Sequence, residues 1–124
     1  IAFVEGHLRA GVDIVLDTVN LAEKLESADL VITGEGSIDF QTVYNKAPIG
    51  VARMAKARGI PTIGISGMLG KNYQIVHNHG IDAALSIANG PISLEESLQN
   101  APSLISEAVE ESLRLISVGM KLRN

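Results

Sequence analysis

The sequence predicts an α/β domain built on a parallel sheet, and three observations carry that reading. Short β-like runs recur along the chain with helical segments between them. The first two runs are almost continuously apolar, as strands covered by helices on both faces should be. Between those two lies a segment with helical periodicity, and strand, helix, strand in that order implies a right-handed parallel crossover.

The chain opens Ile1-Ala2-Phe3-Val4-Glu5 without an initiator Met. Phe3, Val4 and Leu8 read as the end of an amphipathic helix in a piece of a longer polypeptide. Val12 to Leu25 reads as one or two further helical turns, interrupted near Asn20. The first strand is Asp29-Leu30-Val31-Ile32-Thr33, stopped by Gly34. A loop from Gly34 to Lys46 leads into a helix from about Ala47 to Arg58. Pro48 falls in its first turn, where a missing N–H costs nothing, and Ile49, Ala52 and Ala55 share one face. Arg53, Lys56 and Arg58 suit the carboxyl end of the helix dipole, and Gly59 supplies the stop.

The second strand is Pro61 to Ser66, stopped by Gly67. Lys71 to Asn78 reads as a short helix closed by Gly80, and the third strand is Asp82 to Ile87. Ser93 and Glu96 are spaced as a capping box. Pro102 argues against one unbroken helix, so a new start is expected near Asn100. From there Leu104, Ile105, Ala108, Val109, Leu115 and Ile116 form a stripe expected to pack on the sheet. The 124 residues make one domain of common size.

Composition narrows the function classes. Hydrophobic residues are 46% of the chain and aromatics only 3%, so the core must be aliphatic. Mean hydropathy of +0.23 argues against disorder. The formal charge is -4 with no basic block, which sets nucleic-acid binding aside. There are no cysteines, which removes disulfides, thiolate catalysis and Cys-ligated zinc and suits a reducing cytoplasm. No apolar run reaches bilayer length, so no membrane partner is expected, and no secretory signal is visible.

Chemistry is expected beyond the carboxyl ends of the strands, where open α/β sheets bind ligands. The Gly34–Lys46 loop has 13 residues where about 2–6 would join strand to helix. It gathers Glu35, Asp39, Gln41, Thr42 and Lys46. Two carboxylates can hold Mg²⁺, or one can accept a proton from an attacking hydroxyl. Lys46 can neutralise phosphate beside the first-turn N–H groups. From spacing alone a solvated acidic turn competes equally with this reading, and both stay open. No Walker sequence occurs, so ordinary P-loop chemistry is unsupported. Ser66-Gly67-Met68-Leu69-Gly70-Lys71 is a second candidate, competing with a plain turn, and Asn89-Gly90-Pro91 reads as a turn leading to Ser93. His77 and His79 lie at a helix end with no carboxylate close in sequence, against metal ligation. Asp13 and Asp17 read as a solvated helix face.

The run from Asp29 to Ala52, with its core Thr33-Gly34-Glu35-Gly36-Ser37-Ile38-Asp39-Phe40-Gln41-Thr42 and Lys46-Ala47-Pro48, closely resembles the signature region of bacterial type-1 glycerate kinases. Gly11 to Asp17, Pro61 to Gly70 and His79 to Ala83 agree in order and spacing, so the likeness spans essentially the whole chain. The resemblance implies a Rossmann-like parallel sheet forming the C-terminal part of a larger two-domain kinase, with its active site in the interdomain cleft. It implies ATP and Mg²⁺ as cofactors, D-glycerate as substrate, and the remaining N-terminal portion of the enzyme as partner, with self-association left open. By the same analogy Asp39, Glu35 and Lys46 are catalytic, and Glu35 and Asp39 are the metal ligands. Gly34, Gly36, Gln41, Thr42, Gly67 and Gly70 contact substrate or phosphate. Two positions depart from the pattern: Ser37 stands where the family carries a basic residue, and Asn45 replaces a Gly. The family's N-terminal Asp-Ser-Phe-Lys-Gly-like motif does not occur here, so the chain alone is expected to be inactive as a kinase. A stand-alone ligand-binding or regulatory module is the alternative.

Overall fold

The structure, a computed structural model, describes residues 2–4, 23–44 and 46–123, with residues 2–4, 46 and 47 described by their backbone. Of the helical reading of Val12 to Leu25, residues 12–22, with Asp13 and Asp17, lie outside these residues, and Glu23 to Leu25 are helical. Among the described residues, four strands form one sheet: β1 (Ala2–Val4), β2 (Val31–Ile38), β3 (Thr62–Leu69) and β4 (Ala83–Ser86). They lie side by side in sequence order, and every neighbouring pair is parallel.

The opening residues correct the sequence reading. Ala2–Val4 is a strand aligned with Val31–Thr33 rather than a helix end. Phe and Val suit a strand at least as well as a helix, and three residues are too few to display a helical period. The open edge of β2 decides between the two.

Helix α1 (Lys46–Ala57) connects β2 to β3, close to the expected Ala47–Arg58. Its stop is a Schellman motif: Gly59, at φ +70°, donates to the Lys56 carbonyl, and Ile60 donates to that of Ala55. A 3-10 helix, Tyr73–His79, connects β3 to β4 where a short helix was expected, and ends at Gly80 with φ +101°. Both connections cover the same face, as successive crossovers of one hand in a sequentially ordered sheet must. Two buried clusters result there. Leu25, Val31, Val51, Ala55 and Ile60 form one, and Ile38, Ile49, Ala52, Val76 and Ile81 the other.

The opposite face is covered after β4. Helix α2 (Leu94–Gln99) starts at Ser93, whose Oγ accepts the Glu96 N–H at 3.1 Å. Helix α3 (Ala101–Leu122) starts afresh at Asn100, as Pro102 suggested. Leu104 is buried against Leu30, Ile32, Ile63, Ile65 and Ile87, with Ile105, Ala108 and Val109 packed around them. The stripe does not continue as expected, because Leu115 is 64% exposed and Ile116 is 36% exposed. At 1.5 Å per residue a helix of 22 residues runs ~33 Å. The longest strands, of eight residues, span only ~26 Å, so the helix is longer than the strands of the described residues.

Candidate functional site at the carboxyl ends of the strands

Of the residues read as a long loop, Gly34 to Ile38 prove to be strand and Phe40 to Tyr44 a 3-10 turn. β2 continues through Gly34 to Ile38, and β3 continues through Gly67 to Leu69, with Ser37 beside Met68 and Ile38 beside Leu69. β4 stops at Ser86, opposite Ser66. Beyond that level β2 and β3 project as a two-stranded ribbon. The length argument for a functional loop therefore falls, although the position argument stands: Glu35 and Asp39 do lie at the carboxyl end of a parallel strand.

Close backbone approach builds the ribbon. A Cβ placed on Gly67 would lie 2.9 Å from the Gly36 carbonyl oxygen, so β3 needs glycine there. The same construction on Gly36 meets nothing within 4 Å. The ends are tied by the Gly70 N–H donating to the Ile38 carbonyl at 2.7 Å and the Phe40 N–H to the Lys71 carbonyl at 3.1 Å.

Directly after β2, a 3-10 turn at Phe40–Tyr44 carries the other expected residues. Asp39 and Thr42 brace it reciprocally. The Asp39 N–H donates to Thr42 Oγ1 at 3.0 Å, and the Gln41 N–H donates to Asp39 Oδ1 at 2.8 Å. Thr42 is buried and Gln41 exposed. Gly70 backs the arrangement, since a Cβ there would lie 2.9 Å from that of Asp39. Asp39, Gln41, Thr42 and Gly70 are thus brought together. Glu35 sits half-buried at the base of the ribbon, next to Ser66 in register. Burial pushes its carboxyl pKa above the ordinary value. Lys46 opens α1, but its side chain lies outside the described residues. Glu35 and Asp39 are, among the described residues, the carboxylates at this end of β2. Among the described residues no cluster of three or more His, Cys, Asp or Glu could hold a metal. His77 is engaged within the fold, its Nδ1–H donating to the Ile81 carbonyl at 2.9 Å.

A second feature of the same rim was not anticipated. A cavity of about 420 Å³ lies between the ends of β3 and β4 and helix α2. Gly67 and Met68 line it from β3, Ser86 from β4, and Ile92, Ser93 and Ser97 from the α2 side. Of the residues singled out from sequence, Gly67 alone borders it as an expected substrate contact. Ser86 is held in place by accepting the Ala88 N–H at 3.2 Å. The signal that could have found this cavity was the third strand end itself, followed by Asn89-Gly90-Pro91, which read as an ordinary turn.

No helix among the described residues is long and apolar enough to cross a membrane. Comparison with known proteins bears on the whole chain. A profile of the glycerate kinase family matches residues 1–117. A glycerate kinase of Halalkalibacterium halodurans is 51% identical over 108 residues, 87% of this chain and 28% of that protein. A glycerate kinase of Bacillus cereus is 47% identical over 122 residues, 98% of this chain and 31% of that protein. A solved structure from Salmonella typhimurium LT2, assigned as a glycerate kinase 2, superposes with a TM-score of 0.60 at 39% identity, over 93% of this chain and 29% of that one. This chain therefore spans less than a third of the length of each.

Proposed function

The chain belongs to the glycerate kinase family, and from that premise we propose that it supplies one wall of a site that phosphorylates D-glycerate from ATP with the help of Mg²⁺. The observation that carries the proposal is the β2 end, where Glu35 and Asp39 stand on a ribbon and turn built by close backbone approach. The rest of the site falls to sequence corresponding to the remaining length of the relatives.

The residues fit the chemistry. Kinases hold Mg²⁺ through one or two carboxylates plus substrate phosphates, with no need for an all-protein cage. Glu35 and Asp39 match that donor set. Bound Mg-ATP supplies the phosphoryl group and the cation that spreads its charge. Asp39 takes the proton of the glycerate hydroxyl as its oxygen bonds to phosphorus and the bond to the departing diphosphate breaks. Glu35 holds the cation or the substrate. Lys46 offsets phosphate charge, and the Gly34 and Gly36 backbone lets the substrate come close. Gln41 on the exposed turn contacts substrate, while Thr42 and Gly70 keep Asp39 in place.

A chimera tests this. The chain replaces the matching segment of the Bacillus cereus glycerate kinase, to which it is 47% identical. Glycerate-dependent release of ADP is expected from the chimera and not from the chain alone. A chimera that folds with the parent's thermal midpoint but releases no ADP would overturn the proposal.

A further inference from the structure

We infer that the cavity between the ends of β3 and β4 and helix α2 receives the purine base of the nucleotide. The inference rests on the kinase reading and locates one half of its co-substrate. Every described residue around the cavity is Gly, Met, Leu, Ser, Ala or Ile, and none of these is charged. Burying the glycerate carboxylate or a phosphate there would leave an anion without a counter-charge, at a large desolvation cost. An uncharged heteroaromatic ring meets no such penalty.

The polar groups present suit that ring. Ser86, Ser93 and Ser97 border the cavity. Ser86 already donates to the Gly67 carbonyl and accepts the Ala88 N–H, and Ser93 accepts the Glu96 N–H. Ser93 and Ser97 are therefore the hydroxyls that can donate to ring nitrogens. Met68, 58% exposed, stands at the rim, and a thioether packs favourably against aromatic rings. The volume of about 420 Å³ falls within the roughly 300–1,000 Å³ of small-molecule sites. The cavity lies one strand away from the carboxylate end, because Gly67 borders it and abuts the Gly36 carbonyl on the neighbouring strand. One ligand can therefore lie with its neutral end over β3 and β4 and its charged end over β2.

The chain contains three methionines, Met54, Met68 and Met120, which makes methyl NMR a direct readout on the 124-residue chain. Millimolar adenosine is expected to shift the Met68 methyl resonance and leave Met54 and Met120 in place, whereas D-glycerate leaves all three in place. Ser97→Trp fills the cavity and should abolish the shift. Ala88→Leu, at an exposed position on the cavity wall, is a second variant should the first fail to fold. In the chimera, either variant should raise KM for ATP at least tenfold and keep KM for glycerate within twofold. An unmoved Met68, or a shift that survives both variants, overturns the inference. An active chimera whose KM for ATP ignores the filled cavity sinks the base site while the kinase reading stands. A Met68 shift with an inactive chimera leaves the purine site and sinks the kinase.

Discussion

The β2 end and the β3–β4 cavity lie side by side on one rim and are built by opposite means. At the β2 end, side chains carry the structure and the charge together. Asp39 accepts the Gln41 N–H while Thr42 accepts that of Asp39, and Glu35 is half-buried. At the cavity, small residues alternate with Met68, Leu69, Ile92 and Leu94, and the described lining bears no charge. One region holds carboxylates in fixed positions, and the other leaves room beside hydroxyls. The proposed transfer of a phosphoryl group from a large nucleotide to a small hydroxy acid would use both kinds of surface.

The sharpest way to break that contrast is to remove one charge without disturbing the turn. In Asp39→Asn the amide oxygen still accepts from Gln41, so stability should change by no more than about 0.5 kcal/mol. Turnover of the chimera should fall ~100-fold or more, the usual scale for a lost proton acceptor. Asp39→Ala should add a loss of about 1 kcal/mol, as deletion of a capping side chain does. Near-normal turnover in Asp39→Asn, measured by coupled ADP release, would reduce Asp39 to a turn residue.

The two regions were also unequally legible in the sequence. The crossover from β2 to β3 could be read because Pro48, the Ile49-Ala52-Ala55 face and Gly59 are local signals. Glu35 and Asp39 could be placed at a strand end for the same reason. Their setting could not: Gly34 read as the stop of the strand, yet pairing with Ile65, Ser66, Met68 and Leu69 carries the strand on to Ile38. That pairing joins positions about thirty residues apart, which no local pattern records. The cavity was hidden for a related cause. Ser86 and Ser97 are unremarkable in sequence, and only the docking of α2 near β4 sets them around one space. At the amino end, Ala2–Val4 took strand form because an edge was available, again a tertiary decision.

The ribbon that links the regions gives a second, smaller test. Gly67→Ala forces a methyl against the Gly36 carbonyl oxygen at 2.9 Å. Urea unfolding should show a loss of ~1–3 kcal/mol, the range for overpacking. Gly36→Ala meets nothing within 4 Å and should be neutral or stabilising by up to ~1 kcal/mol, through the unfolded chain. In the chimera the same substitution should nonetheless lower turnover at least tenfold, if substrate approaches that backbone. Equal destabilisation by the two alanines would mean that the ribbon is not held by this contact. Full activity in Gly36→Ala would remove the backbone of β2 from the site.

The smallest effect concerns Glu35, and its sign is opposite to that of a stabilising ion pair. Burial raises the folded-state pKa above the ordinary value of 4.5, so the folded chain binds the proton more readily than the unfolded chain. The contribution of Glu35 is therefore most favourable below about pH 4.5 and is lost as the pH rises through the folded-state pKa. Gln at this position has no proton to lose. In magnesium-free buffer, Glu35→Gln should be more stable than the parent chain at pH 7, and the gap should close as the pH falls to 4. Other carboxylates titrate in both proteins and cancel in the difference. A gap independent of pH would show that the cost of the side chain is steric rather than electrostatic. A gap that closes would instead identify Glu35 as a charge retained at the β2 end against stability, which the neutral cavity beside it never has to bear.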